Sequence, residues 1–473
     1  MKKLVWLLAA PFLSSPLLAT DLLQVYREAQ NNDATFAAAK SILEAGQERT
    51  PQARAGLLPT LSLGANTQWN QNDIYSRNNS NTTPANFNSN GYTLTLTQPL
   101  FRWQNWVAYD QSKFQVAQAE ANFVQASQDL ILRVAQAYFD VLYASESLKA
   151  VQANKKSIEQ QLESAKRNFE VGTSTIVDAQ EAQARFDLAT AQEIAAESDL
   201  EVRQRTLQAI IGKEPGPLAP FRRGAEISPP QPADMKQWAT AAEKDNISVQ
   251  IQMAAVEIAT REVGRQRAGH YPTVDLVANK GTSVALATVG GQLETDFQNV
   301  GVQLNLPIFQ GGAVVSRQSE ASANRAAAES TLEQARRNAA LLARQQYLGA
   351  TNGLAQVRAL KAALISSQSS LESNRLGFEV GVRINIDVLN ADNQVYVTRR
   401  DLAKAVVDTL MSQLRLKAAV GTLSEDDVAR PRGYSAIAAR ITATVRSVAP
   451  RCAAAKRKAA ARISASSPAF PNA

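Results

Sequence analysis

Two spacings of hydrophobic residues organise this chain, and each is used twice. Leu61, Leu63, Ala65, Thr67 and Trp69 alternate with Ser62, Gly64, Asn66 and Gln68, and Tyr92, Leu94 and Leu96 alternate with Thr93, Thr95 and Thr97. A period of two is that of a strand with one apolar and one polar face. The pattern returns, imperfectly, at Val274, Leu276 and Ala278 against Thr273, Asp275 and Val277. It returns cleanly at Val300, Val302, Leu304 and Leu306 against Gly301, Gln303 and Asn305. Four strands are expected, two in each half. Asn70 to Gly91, rich in Asn and Ser, reads as a solvated loop, and Pro99 and Pro307 read as the ends of the second strand of each half.

The second spacing is three and four. Arg102 to Asn168 holds neither proline nor glycine, so it can be one helix, roughly 100 Å long at about 1.5 Å per residue. Val134, Ala137, Val141, Ala144, Leu148, Val151, Ile158, Leu162, Ala165 and Phe169 form a coiled-coil seam with one miss, at Lys155. A returning helix carries Ala179, Ala182, Phe186 and Ala189, and its counterpart in the second half carries Val388, Ala391, Val395, Leu402 and Ala405. Asp21 to Ala55 also reads as helical, with a break at Asn31-Asn32-Asp33 and a kink at Pro51.

The two halves are copies. Phe169-Glu170-Val171-Gly172 recurs as Phe378-Glu379-Val380-Gly381, and the same offset of 209 residues links Tyr138 to Tyr347, Asp178 to Asp387 and Gly212 to Gly421. Each tetrapeptide lies between long proline-free stretches. It reads as the reversal of a helical hairpin, with Gly172 and Gly381 in the left-handed conformation that ends the first helix. The expected organisation is a leader (1–19), a first repeat (20–212), a proline-rich connector (213–233), a second repeat (234–429) and a basic tail (430–473).

The ends alter the reading of charge and compartment. Lys2 and Lys3 before an apolar run, with Ala19 as a cleavage residue, make a secretory signal. No stretch is long and apolar enough for a helical membrane span. The formal charge is +7, but nine basic residues lie from Arg430 onward and two in the leader, which leaves the body at −4. A nucleic-acid partner is therefore not expected. Cys452 is the one cysteine, so no disulfide forms within the chain, and His270 is the one histidine. With no catalytic set, metal spacing or phosphate loop, no enzyme, cofactor or metal is expected.

Alternating strands alone suit an ordinary sandwich. In an exported chain, small polar residues on the second face and aromatics toward the strand ends suit a transmembrane barrel with a wet lumen. Four strands are too few for a barrel, and an open sheet leaves its edges unsatisfied in lipid. Several chains must therefore pool their strands, if these strands span a membrane. A porin carries its whole barrel in one chain and has no use for such helices.

In this order the residues resemble the TolC-type outer-membrane exit ducts of Gram-negative bacteria. The resemblance rests on Leu57-Leu58-Pro59-Thr60-Leu61, Gln98-Pro99-Leu100-Phe101, Ala137-Tyr138-Phe139-Asp140-Val141-Leu142, both Phe-Glu-Val-Gly turns, Ile386-Asp387-Val388-Leu389 and Ala419-Val420-Gly421-Thr422-Leu423. It covers about Asp21 to Asp427. It implies a mixed α and β fold: a homotrimer whose four strands per chain close a twelve-stranded transmembrane β-barrel, above a long antiparallel coiled-coil helical barrel. It also implies an outer-membrane channel reaching into the periplasm and partnered by a periplasmic adaptor and an inner-membrane transporter. The length and alanine-rich composition look most like the type I secretion branch, which exports RTX toxins such as cyclolysin. A multidrug efflux channel is the alternative, and a passive porin a more distant one.

The candidate chemistry lies at the hairpin tips. Asp178 and Asp387 each follow a turn glycine by six residues, and Arg383 follows Gly381 by two. First-turn carboxylates are ordinary companions of a helix dipole. The resemblance assigns them more: Asp387 matches a ring of carboxylates at a periplasmic constriction, and Arg383 with Asp178 matches a latch on the closed hairpins. Phe378 stands where the reference family member has a tyrosine, and Asn390 where it has a second aspartate, so a hydroxyl link and a second acidic ring are absent.

Overall fold

The computed structural model describes residues 20–75, 82–219, 227–286 and 291–429. The expected leader and basic tail lie outside the described residues. All described residues but 227 and 228 belong to one unit. Its elements in chain order are α1 (Leu22–Asn32), α2 (Ala34–Gln47), α3 (Arg49–Ala55), β1 (Thr60–Tyr75), β2 (Thr82–Phe101), α4 (Trp103–Glu170) and α5 (Ile176–Ile211). There follow α6 (Met235–Asp245), α7 (Ile247–Arg267), β3 (Thr273–Leu286), β4 (Gln292–Asn305), α8 (Ala313–Glu379), α9 (Asn385–Ala419) and α10 (Glu425–Ala429).

Local chemistry sets the first breaks. Asp33 ends α1 and caps α2, its carboxylate accepting from the Phe36 N–H at 2.7 Å. The helix breaks again at Glu48, three residues before Pro51. The proline ring cannot coexist with the helical carbonyl four residues back.

The strands form one antiparallel sheet in the order β1-β2-β3-β4. Two expectations are corrected here. Residues 70–75 and 82–91 are strand and not loop: β1 and β2 stay paired from Thr60↔Thr97 to Tyr75↔Thr82, and the rest of the expected loop lies outside the described residues. The Asn and Ser side chains that look like loop composition bond across the hairpin. The Asn70 amide donates to Ser89 Oγ at 2.8 Å and the Asn88 amide to Thr67 Oγ1 at 2.9 Å. Nor does Pro99 end β2. The strand continues to Phe101 through a register shift between Pro99 and Phe101, which accommodates the missing N–H. Pro307 does lie beyond β4.

Paired residues share a face. The register Leu61↔Leu96, Leu63↔Leu94, Leu96↔Ala278, Ala278↔Val300 and Leu276↔Val302 gathers the apolar positions of all four strands on one side. That side is open: Leu63 is 70% exposed and Val300 74%. Among the described residues no helix is long and apolar enough to cross a membrane.

α4 and α5 pack as one antiparallel hairpin and α8 and α9 as another; α7 packs on α4 and α8, and α4 also packs on α9. The expected seam of α4 is buried at Val134, Ala137, Val141, Ala144, Ile158, Leu162 and Ala165. Lys155, its one miss, reaches Glu193 of α5 at 2.7 Å. Where α4 leaves the sheet, Arg102 forms a two-pronged pair with Asp275 of β3, Nε to Oδ1 and Nη2 to Oδ2, each 2.7 Å. Between α5 and α6 the described residues form no helix or strand apart from a bridge between Thr20 and Leu218.

Candidate functional site: the hairpin tips

Both reversals are built alike. Gly172 has φ +77° and Gly381 φ +76°, a conformation that costs a residue with a Cβ and suits glycine. The Thr173 N–H donates back to Asn168 O and the Val382 N–H to Gly377 O, each at 2.8 Å, closing the last carbonyls of α4 and α8. Val171, Val380, Val382 and Ile384 are exposed around the turns.

The chemistry after the turns differs. Thr175 caps α5, its Oγ1 accepting from the Asp178 N–H, while Asp178 Oδ2 accepts from the Thr175 N–H at 3.0 Å and from its hydroxyl at 2.8 Å. This is a capping box. At the equivalent place α9 starts from Ile384, whose side chain can accept nothing. Asp387 is thereby left out of any box, and its Oδ2 lies 3.6 Å from Arg383 Nη1, the two side chains being 34% and 57% exposed.

Gly377 makes the pair possible. A Cβ there would fall 2.7 Å from Arg383 Cγ, so the arginine stem folds back over a bare stretch of α8. Sequence reasoning passed over Gly377, although a glycine just inside a helix end is a visible signal. Within one chain the structure therefore brings Arg383 to Asp387 and not to Asp178. Asn390 on α9 and Phe378 on α8 are both exposed. His270 is exposed in a short turn after α7. Among the described residues no group of His, Cys, Asp and Glu could hold a metal ion.

The tips are fastened above. Ile158 of α4, Ala189 of α5 and Leu389 of α9 form a buried cluster with Phe186 and Ile386, joining the first hairpin to the second. One turn along α9 from Leu389, Asp392 is buried, with Oδ1 3.3 Å from Arg375 Nη2 of α8. Burial pushes its carboxyl above the usual range, against the pull of the Ser157 hydroxyl and Arg375. No periodicity marks an aspartate as buried, so this residue was not expected.

Comparison with known proteins bears on this geometry. The family described as outer membrane efflux protein matches residues 25–213 and again 238–422. The chain is 32% identical over 436 residues to outer membrane protein TolC of Vibrio cholerae, covering 90% of this chain and 97% of that one. It is 31% identical to the proteases secretion protein PrtF of Dickeya chrysanthemi, over 87% of this chain and 90% of the other. Among solved structures, the Campylobacter jejuni CmeC outer membrane channel superposes with a TM-score of 0.75 at 17% identity, covering 85% of this chain and 86% of that one. The open state of the Neisseria gonorrhoeae MtrE outer membrane channel superposes with a TM-score of 0.67 at 21% identity, over 85% and 90% of the two chains.

Proposed function

Because this chain belongs to the outer membrane efflux protein family, and is thus an outer-membrane channel reaching into the periplasm and not an enzyme, we propose that it is the exit duct of a tripartite export system. Three chains pool their strands into a twelve-stranded barrel, and their six hairpins close a helical barrel below it. The chain itself is a tandem duplication, which the two separate family matches support. A periplasmic adaptor and an inner-membrane transporter dock beneath.

One observation carries this reading: the sheet has an exposed apolar face and two strands, β1 and β4, each paired on one side only. Such a sheet can enter lipid only when its edges are closed by other chains. Mass measurement in detergent tests it. A trimer is expected; a stable monomer would refute the reading, and a dimer of eight strands would replace it.

The cargo we infer is a protein of the RTX or haemolysin-like kind, by analogy with relatives named for protease secretion, PrtF and AprF. Efflux of small molecules is the second reading, supported by a relative named outer membrane efflux protein BepC. Export of a protein substrate from cells carrying the duct with a type I transporter and adaptor separates them.

For the gate, we assign Asp387 to a ring of three carboxylates, one per chain, tempered by its own Arg383. Because the Arg383–Asp387 pair is exposed, it is worth only about 0–1 kcal/mol, so Arg383 is free to exchange to another carboxylate. Asp178 offers one. Both bonds of its capping box fall on Oδ2, leaving Oδ1 to accept from an Arg383 of a neighbouring hairpin.

A further inference from the structure

The seam between the two hairpins has an unusual polar chemistry. Three buried side-chain oxygens there meet no donor of the chain: Asn154 Oδ1 and Gln161 Oε1 of α4, and Asp392 Oδ2 of α9. Asn154, Ser157 and Gln161 are spaced by three and four residues and so share one face of α4. Ser157 lies against the Asp392 carboxylate, and Ile158 beside it packs on Leu389. Buried oxygens are normally paired, and these three are all acceptors. Their shared deficit is a donor.

The groups around Asp392 limit where a donor can come from. From α8, Arg375 reaches Oδ1 but not Oδ2, and its side chain is half exposed. Along α9, Tyr396 lies one turn on. Its hydroxyl is pushed up by burial and by Asp392, and pulled down by Arg399 and Arg375. From α4, the Ser157 hydroxyl already donates to the carboxylate yet leaves Oδ2 unpaired, Lys155 is engaged by Glu193 of α5, and Lys156 and Glu159 are exposed. A proton from solvent is the remaining source.

We propose that Asp392 is a proton-operated fastener of the α4–α9 seam: protonated, it supplies the missing donor and holds the hairpins together, and ionised, it leaves the seam easier to part. The proton adds to Oδ2, and the new O–H donates to the Ser157 hydroxyl, whose own hydrogen, until then donated to the carboxylate, turns to another acceptor on that face of α4. The ion pair with Arg375 is given up, and the half-exposed guanidinium keeps its water. The sign follows from linkage. The packed seam raises the carboxyl above its solvated value, so the packed state binds the proton more tightly and gains stability as pH falls through the packed-state pKa. Its consequence for opening rests on the duct reading; the fastening itself does not.

Hydrogen exchange of α9 amides at residues 385–396, corrected for intrinsic rates, tests this on the purified full-length protein in detergent. Wild-type protection is expected to rise as pH is lowered from 8 to 4, by up to about tenfold for each unit by which packing raises the pKa. Asp392→Asn carries a permanent amide donor and no titration, so its protection should be high and independent of pH. Asp392→Ala should be low and equally flat. Arg375→Gln keeps the carboxyl but removes its cation, so the wild-type transition should move to higher pH. A wild-type slope surviving in Asp392→Asn, or an unmoved midpoint in Arg375→Gln, overturns the proposal. Bilayer recordings in an Asp387→Asn background add the functional arm, in which conductance should fall in mild acid only while Asp392 is present. A chain that forms no pore would defeat the duct reading and leave the exchange result standing.

Discussion

Truncating Arg102 is the sharpest test of how the strands are joined to the helices. This arginine occupies the cap position of α4 directly after β2, and its fork grips Asp275 on the adjacent β3. The Asp275 side chain is 12% exposed and that of Arg102 34%. Breaking a fully buried pair costs about 3–5 kcal/mol, because a charge is left without a partner, whereas an exposed pair is worth about 0–1 kcal/mol. With one partner nearly buried and the other a third open to solvent, Arg102→Ala should cost about 2 kcal/mol. Arg102→Lys keeps the charge but loses the planar fork, and should recover less than half of that. The assay is equilibrium unfolding in detergent of Arg102→Ala, Asp275→Asn and the double variant. Removing both partners should cost less than the sum of the single changes, by about 1–2 kcal/mol. A coupling below about 0.5 kcal/mol would refute the reasoning, since the two side chains would then contribute independently.

Four further outcomes are expected. Burial raises the carboxyl of Asp33, but hydrogen bonds from Arg133, Thr35 and the Phe36 N–H together hold it at about 2, below the ordinary 3.8. Its contribution is therefore present above pH 4 and lost as pH falls toward 2. The shift of about 1.8 units corresponds to about 2.4 kcal/mol, discounted to about 1–2 kcal/mol because Arg133 is partly exposed. Unfolding of Asp33→Ala against wild type at pH 7 and pH 2 reads it. Bilayer recordings in a salt gradient should show modest cation selectivity that Asp387→Asn removes, because the proposed ring of three carboxylates would attract cations; an unchanged reversal potential would count against the ring. Arg383→Ser, and more so with Asp178→Ala, should raise single-channel conductance while trimers persist, and no change in the double variant would place the closed state's hold elsewhere. Gly281→Ala should weaken the β2–β3 pairing, since its Cβ would collide with the Tyr92 carbonyl and lie 3.0 Å from Thr93 Cα; undiminished thermal stability would speak against so close a strand approach.

The helices were legible because their signal is redundant. In α4, sixty-odd residues without proline or glycine bear a three-four seam, and its counterpart α8 is free of proline between the same kinds of boundary. The strand ends were not. Asn and Ser favour loops by bonding to their own backbone, and nothing local in Asn70 or Asn88 says that these side chains bond across a hairpin instead. At the tips, Thr175 and Asp178 at three-residue spacing are a capping-box signature, and reading it as such would have separated Asp178 from Asp387, whose counterpart of Thr175 is Ile384. The burial of Asp392 had no signature at all. It depends on α4 crossing α9 at Ser157, a contact between residues more than two hundred positions apart.

The near-identical limbs of the two hairpins constrain how such a chain can change over generations. α4 and α8 have 68 and 67 residues, and α5 and α9 have 36 and 35. One residue inserted into a helix advances it by about 1.5 Å and turns it by about 100°, which would carry every seam residue beyond the insertion off its partner. A lengthening is neutral only when both limbs of a hairpin take it together, in steps near the seven residues of a heptad. The other hairpin must then do the same if the two tips are to stay level. Descendants of this chain should accordingly differ in length through matched sets of four gaps, and a gap confined to one limb should coincide with a local bulge in that helix.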